Sequence, residues 1–519
     1  MAKRTARKQK FDPITVEILW TRLVSMIDEA SATLWRTSFS TLVREANDFA
    51  IVLTDLRGRS LAQSSASIPS FIGTLPRTVG HFLKRFPIET LKPGDVLTTN
   101  DPWLATGHIH DINICMPVFR NGKPIAMIAA CSHVPDIGGR IRGAGVREIF
   151  EEGLQLPMVY LMREGRIEQS IVDIIERNVR VPAQTMGDVW AQVSAAHLMA
   201  DRLNTFLDET GIDLDGFGEE IRRRSETAMR DAIRAVPNGE YRSRWEIDVF
   251  GEPIVLAAKV TVKDSEIAID YTGSSPQVPR SVNVTPSYCF AYSAYGLKSM
   301  LSPNIPNNDG SFMPISTWAP EGTILAPRYP AASGARNAVG QCLPGLVMEA
   351  LADVLPNRVL AGGSLSCSFA MTGEMQGRRY AVINFINGGQ GGGENHHGTS
   401  TISFPSNVGN TPIEVMETNA PVRVLKRERM QGSGGRGRFP GGDGSVMEFE
   451  VTSESPAVIS FILSRVLTPA PGLQGGGDGR RGKLTINGKP IDAAEHQVVR
   501  QGDRVVMQTA SGGGFGRAA

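Results

Sequence analysis

TNDPWLATGHIHDINICMPVFRNGKPIAMIAACSHVPDIGGR, residues 99–140, holds three of the chain's eight histidines, His108, His110 and His133, and the aspartates Asp101, Asp111 and Asp136. Residues 116–120 read as the end of a strand, Asn121-Gly122-Lys123 as a tight turn, and residues 124–131 as the returning strand. Folding about that turn brings the two ends of the stretch together. His108-Ile109-His110-Asp111 then faces Ser132-His133-Val134-Pro135-Asp136, two clusters with the same His-x-x-Asp spacing.

Imidazole nitrogen and carboxylate oxygen suit Zn, Mn or Fe, and a set of two or three such ligands leaves coordination positions open. The stretch therefore predicts a catalytic metal site. The alternative is a set of polar residues capping loops around a buried sheet. In a regular strand His108 and His110 share one face and Asp111 takes the other. Joint use of His108 and Asp111 requires a bend there, and otherwise His110 is the substitute ligand. Asp136 is a candidate for orienting a histidine or acting as a base. Downstream, Glu148, Glu151 and Glu152 either add a carboxylate to the site, with Glu152 as the acid–base candidate, or form a solvated face.

Working outward, the pattern is α+β. It predicts a helix-rich N-terminal part around the metal-bearing hairpin, then a β-rich mixed antiparallel part with a glycine-rich tail. Residues 1–10, MAKRTARKQK, read as a disordered basic tail. Residues 11–236 form the expected N-terminal domain, with helices predicted over 13–42, 74–86, 167–177, 184–209 and 215–236. Composition shifts at Pro237-Asn238-Gly239, and residues 237–519 form the second domain, glycine-rich after 385. It opens on an antiparallel meander over 241–249, 254–262 and 266–271, followed by helices over 287–301 and 339–355 and a strand over 380–387.

The 519 residues carry a formal charge of +1 and are 41% hydrophobic, so neither nucleic acid nor an acidic membrane surface is an expected partner. No stretch approaches the ~20 apolar residues of a membrane span. Five scattered cysteines, Cys115, Cys131, Cys289, Cys342 and Cys367, with no C-x-x-C, point to reduced thiols and a cytoplasmic location. Residues 477–483 have P-loop glycine and lysine spacing, but Leu484 stands where magnesium needs Ser or Thr, and no strand precedes it. Gly362-Gly363-Ser364-Leu365-Ser366 lacks the last glycine of a nucleophile elbow. His396 and His397, beside Glu394, are ligand candidates or a loop contact. Arg328, Arg336, Asn337 and Gln341 lie just before a predicted helix, where a polar loop either binds an anion or amide or is an ordinary helix entry.

Asn100-Asp101-Pro102, Gly107-His108-x-x-Asp111, Pro117-Val118-Phe119 and His133-x-x-Asp136-x-Gly138-Gly139 resemble the hydantoinase B family. That family includes the B subunit of ATP-dependent hydantoinases, the C-terminal half of 5-oxoprolinase and the large subunit of acetone carboxylase. Ser40-x-x-x-Arg44-Glu45-x-x-Asp48-Phe49, Lys92-Pro93-Gly94-Asp95, Asn178-Val179-Arg180-x-Pro182 and the terminal Gly512-Gly513-Gly514-Phe515-Gly516 extend the likeness over most of the chain. The resemblance implies a divalent transition metal (Zn, Mn or Fe) on His108, Asp111 and His133, with Asp136 a further ligand or supporting partner. It also implies a hydantoinase A-type partner subunit that binds ATP and activates the substrate's carbonyl, and hence a hetero-oligomer. The implied substrate is a small cyclic amide (a hydantoin, N-methylhydantoin, oxoproline or lactam), or a ketone in the carboxylase branch. Phe71, where many members carry His, and His397-Gly398, where many carry Asp-Gly, depart from the pattern and bear on substrate choice.

Overall fold

The structure, a computed structural model, describes residues 11–518; the basic tail expected over residues 1–10 lies outside them. Helix α1, Pro13–Thr37, starts where Asp12 Oδ1 accepts the amides of Ile14 and Thr15 and Pro13 takes the first turn. It buries Val16, Leu19, Leu23, Ile27 and Leu34. It stops short of residue 42. Asp188 takes the amides of Phe39 and Ser40 at 2.8 and 3.1 Å, so the ladder cannot continue, and a short α2, Thr41–Arg44, restarts on a Ser40 cap.

Strands β1 (Phe49–Thr54), β2 (Ser60–Gln63), β3 (Val96–Thr99), β4 (Asp111–Arg120) and β5 (Lys123–His133) belong to a seven-stranded sheet. Its remaining strands are β6 (Val159–Arg163) and β7 (Arg166–Ile167), and the order is β2-β1-β5-β4-β3-β6-β7. The β4–β5 turn is the one expected, with Asn121 and Gly122 at φ 50° and 73°. The register runs from Arg120↔Lys123 to Asp111↔His133, through one irregularity at Val118/Phe119, so the hairpin ends with Asp111 and His133 side by side.

Helix α3, Pro69–Arg85, begins five residues before the expected start, with Pro69 in its first turn and Pro76 inside it. Helices α4 (Ile149–Glu152), α5 (Gln169–Asn178), α6 (Pro182–Thr210) and α7 (Leu214–Arg234) follow, and α6 closes on Gly211 at φ 60°. α6 lies against α1 and the β4–β5 hairpin and forms one core with them.

The expected meander is present as β8 (Gly239–Val249), β9 (Glu252–Lys263) and β10 (Glu266–Asp270). After the largely buried helix α8, Pro286–Leu301, strand β11, Ile315–Trp318, joins β10 in parallel. The helix expected over 339–355 is two pieces, α9 (Asn337–Gly340) and α10 (Leu343–Ala350), because Pro344 has no amide to return to Gly340. Strand β12, Ser366–Met375, was not expected. It pairs with β13, Arg378–Asn387, and sends Cys367 and Phe369 into one core and Ala370 into another, so it shows no polar face to read.

Helix α11, Ile413–Asn419, and strands β14 (Val422–Arg429), β15 (Ser445–Val451), β16 (Ala457–Ile462), β17 (Lys483–Ile486), β18 (Lys489–Pro490), β19 (Gln497–Val499) and β20 (Arg504–Gln508) complete the chain. They form two further sheets, β13-β12-β16-β19 and β14-β15-β20-β17-β18. Among the described residues no helix is long and apolar enough to cross a membrane, and all five cysteines are unpaired and buried.

The glycine-rich segments around 361–363, 388–393, 434–442, 471–479 and 511–516 pack backbone against backbone. The amides of Gly442, Gly512 and Gly435 donate in relay to Gln390, Gly442 and Gly512, and Gly392, Gly513 and Gly362 do the same through Gly513, Gly362 and Pro471. A Cβ on Gly512 would sit 1.9 Å from the Gln390 oxygen, and one on Gly389 1.8 Å from that of Gly442. The glycines are there for proximity. Gly512→Ala is expected to destabilise the chain by about 3 kcal/mol or more, as overpacking against rigid backbone does. Gly80→Ala, in α3 with nothing within 4 Å of its Cβ position, is expected to stabilise it by roughly 0.5–1 kcal/mol. Denaturant titration of both variants reads the contrast.

Candidate metal centre

The bend that the His-x-x-Asp spacing requires lies at Gly107, φ 96°, followed by a turn through His110; β4 begins only at Asp111. His108, Asp111 and His133 thereby converge, with one potential ligand atom from each within 4.8 Å of the others. All three are buried. His108 Nδ1 donates to the Gly334 carbonyl at 3.2 Å, which leaves the lone pair on Nε2. That Nε2 stands 2.6 Å from Asp111 Oδ1 without hydrogen-bond geometry. His133 Nδ1 is 3.0 Å from the same oxygen, and its Nε2 is buried and unpartnered.

Buried lone pairs with no donor, crowded on one carboxylate, are what a cation resolves. The mixed imidazole and carboxylate set fits Zn, Mn or Fe. His110 adds a third ring, parallel to His133 within 8° at 5.8 Å, and its Nδ1 is also orphaned.

The electrostatics favour ligation. Burial, then the Arg336 charge, pushes His108 down to about 3, and burial holds His110 well below its ordinary value, so both rings are neutral near pH 7. Burial alone would raise Asp111. Arg336 and the His133 hydrogen bond oppose it and hold this carboxyl well below the usual range. Arg336 reaches Asp111 Oδ2 through Nη2 at 2.9 Å, bonds Thr106 O through Nε at 3.0 Å, and stacks on Tyr288 at 4.2 Å. Arg142 binds Gly334 O at 3.1 Å and Asn337 Oδ1 at 2.9 Å; burial, with repulsion from Arg336, lowers it to about 10. Both guanidiniums leave Nη1 without a hydrogen-bond partner among the described residues and face a cavity of about 40 Å³ beside the histidines. Its apolar wall includes Phe71 and Phe385.

The other candidates separate. Arg336, Asn337 and Gln341 line this cavity; Arg328 lines a different one. Asp136 turns away from the histidines: Oδ1 takes Arg180 Nη1 at 2.5 Å and Oδ2 the Arg180 amide. Glu152 is buried behind Gly334, Oε1 accepting the amides of Ser333 and Gly334 at 2.8 and 2.6 Å and Oε2 unpartnered. Burial, opposed by those two bonds, raises it to about 7. It flanks Gly334 together with His110: a Cβ on Gly334 would stand 3.0 Å from both Glu152 Oε1 and His110 Cε1. Glu148 is exposed and Glu151 pairs with Arg147 and Arg140. His396 and His397 are exposed on the glycine segments.

Asp48 is the residue that the sequence reading passed over as a site member. It is buried, raised by burial and lowered in part by His133; its carboxylate lines the cavity and accepts no hydrogen bond among the described residues. Its own carbonyl accepts the His133 amide at 3.1 Å, which seats it beside the cluster. The available signal was an acid directly before the apolar run 49–53. Asp48 thus adds a second carboxylate beside the two imidazoles and Asp111. Elemental mass spectrometry is expected to find about one equivalent of a transition metal in the wild type. His108→Ala and His133→Ala are expected to lose most of it with their circular dichroism intact.

The model of the Hydantoinase B/oxoprolinase family matches residues 12–518. A protein of Pseudomonas sp. (strain NS671), provisionally named as the B subunit of a D-/L-hydantoinase, is 29% identical over 546 residues, 99% of this chain and 92% of its own length. The 5-oxoprolinase of Dictyostelium discoideum is 27% identical over 98% of this chain, which spans 40% of that protein. Among solved structures, the ATP-dependent caprolactamase from Pseudomonas jessenii has a TM-score of 0.88 at 26% identity, covering 98% of this chain and 92% of that one. Nucleotide-free acetone carboxylase shares the fold, with a TM-score of 0.86 at 18% identity over 97% of this chain and 76% of that one. The fold and the family match, running together from end to end, place the chain in the hydantoinase B/oxoprolinase family.

Proposed function

We propose that this chain is the metal-dependent B subunit of an ATP-dependent cyclic amide hydrolase. It would open a hydantoin, N-methylhydantoin, oxoproline or lactam ring together with a hydantoinase A-type subunit that binds the ATP. The observation that carries the proposal is the buried convergence of His108, Asp111 and His133 on a cavity edged by two arginines. His108, Asp111 and His133 would hold the ion, with Asp48 beside them. When bound, a divalent ion there supplies Lewis-acid polarisation of a substrate oxygen.

The protein groups have distinct tasks. Arg336 keeps Asp111 ionised, and the Gly334 carbonyl keeps the His108 proton on Nδ1, so the Nε2 lone pair faces the site. The free Nη1 positions of Arg142 and Arg336 bind developing negative charge on an acyl oxygen. Glu152 would act at one remove, passing its proton toward the departing amide nitrogen by way of His110, whose Nδ1 has no hydrogen-bond partner among the described residues. Asp136 is a positioning residue that holds the 136–139 turn to Arg180.

One observation favours a second reading, a subunit of an ATP-dependent ketone carboxylase. A cavity of about 40 Å³ faced by two guanidiniums has the size and charge for bicarbonate or a carboxylate rather than a whole ring. Product formation that requires bicarbonate would select the carboxylase; ring opening with ATP and the partner subunit, indifferent to bicarbonate, selects the hydrolase.

His133→Ala is expected to lower turnover at least about 10³-fold, a loss in line with removing a metal ligand or the chemistry it supports. Glu152→Gln is expected to lower turnover about 10²-fold, the lower end of a general-acid contribution. The same variant tests the pH linkage. Burial raises Glu152 from 4.5 to about 7, so between those values the native state keeps a proton the unfolded chain has released. Stability then falls as pH rises through the window, by up to about 3 kcal/mol. Denaturant melts from pH 4.5 to 8 should show this slope in the wild type and a flatter one in Glu152→Gln.

A further inference from the structure

Away from the metal centre, two open cavities of about 730 and about 510 Å³ meet at Arg77 on α3. Each falls in the size range of small-molecule sites. Their chemistry differs. The larger is walled by aromatic planes: Trp103 stands edge-on to Tyr329 at 5.5 Å, and Trp318 and Tyr329 are 58% and 57% exposed. Trp103 is fixed by its indole N–H on the Pro327 carbonyl at 3.1 Å, so this wall is built and not loosely draped.

The smaller cavity is basic. Arg57, His81 and Lys84 line it with Arg77, and its one acid among the described residues is the half-buried Asp309. Nearby Arg59 is committed to Asp55 and Glu219. Arg57, Arg77 and Lys84 have no ion pair among the described residues. Arg77 is held at the junction by helix packing. A Cβ on Gly73 would meet Ala291 at 2.8 Å, so α3 and α8 touch there; one turn later the Arg77 guanidinium stacks on Phe290 at 3.7 Å. A planar cation laid on a ring, with Asp309 acting on it only from beyond ion-pair distance, is poised for a phosphate or carboxylate.

We propose that this groove binds an adenine-type nucleotide, its base against Trp318 and Tyr329 and its phosphates on Arg77, Arg57 and Lys84. An aromatic wall at one end, unpaired cations at the other, and a shared arginine match a ring joined to a polyanion and match neither part alone. The site is one of occupancy and not of phosphoryl transfer, since neither a glycine-rich phosphate loop nor a carboxylate pair for magnesium borders it. It is independent of what the metal centre does.

Calorimetric titration of the full chain, without a partner subunit, with ADP, adenosine and inorganic phosphate tests it. ADP is expected to bind saturably and to quench tryptophan emission. Arg77→Gln and Trp318→Leu are each expected to weaken it about tenfold or more, with melting temperatures at the wild-type value. Adenosine and phosphate alone are expected to bind at least about tenfold more weakly than ADP. No heat with millimolar ADP, equal affinity in both variants, or phosphate binding as tightly as ADP would overturn the proposal. Failure of ADP together with a looser hetero-subunit complex in Arg77→Gln would overturn it in favour of a protein interface. Should Trp318→Leu not fold, Arg77→Gln and Lys84→Gln carry the same comparison.

Discussion

Asp111 is a carboxylate with almost no access to water, and much of the architecture answers that fact. An ionised group there is tolerable only with a counter-charge and filled hydrogen-bond sites. Oδ2 receives Arg336 from a segment 225 residues further along, and Oδ1 is shared by His108 and His133. The first requirement ties the second half of the chain to the first. The second sets the hairpin register, because a slip of one residue would move His133 to the opposite face and leave Asp111 with only His108 and Arg336. The ion pair is therefore better understood as specifying the site than as stabilising the fold. Its desolvation cost consumes most of the Coulombic gain.

The glycine segments complete that constraint from behind. They bury backbone against backbone with hydrogen bonds between neighbouring runs and hold the C-terminal sheets at short range. Through those sheets the tail reaches the site: Ser460 on β16 bonds the Arg142 carbonyl, and His496 Nε2 bonds the Ile141 carbonyl at 2.9 Å. Arg142 can then face Gly334 and Asn337. Side-chain packing could not bring so many chain runs this close, since any Cβ at Gly441 or Gly512 would lie about 2 Å from a carbonyl oxygen.

What was legible in the sequence was local. Asn121-Gly122 between two apolar runs specified the hairpin, and the parallel His-x-x-Asp spacings gathered His108, Asp111, His133 and Asp136 about it, with His110 left open; it was the family resemblance that narrowed the set to His108, Asp111 and His133. The Pro237-Asn238-Gly239 punctuation fell between α7, ending at Arg234, and β8, starting at Gly239. What was hidden was tertiary. Nothing near Phe39 announces that Asp188 will take its amide and end α1. Nothing near Arg142 announces Gly334, and the sequence does not show that Glu152, the acid–base candidate among three neighbouring acids, is the buried one. Asp48 is a site residue only because β1 lies beside β5. The site also crosses the boundary drawn at residue 237: its histidines come from before it and Tyr288, Arg336, Asn337 and Gln341 from after it.

The charges around the cavity bear on both functional readings. Asp111 and Asp48 face Arg142 and Arg336, while His108 and His110 are neutral near pH 7. Counting both carboxylates as ionised, the protein groups roughly cancel. A divalent ion added to such a set leaves an excess of positive charge in a low-dielectric space, and that excess is lowest in energy with an oxyanion present. A hydrolase develops such an oxygen at the acyl carbon. A carboxylase begins with one in bicarbonate and makes another in an enolate. The same two guanidiniums would serve either case, so the difference between the two chemistries has to be sought in how much of a substrate fits past Phe71 and Phe385, and in what the proposed partner subunit would deliver.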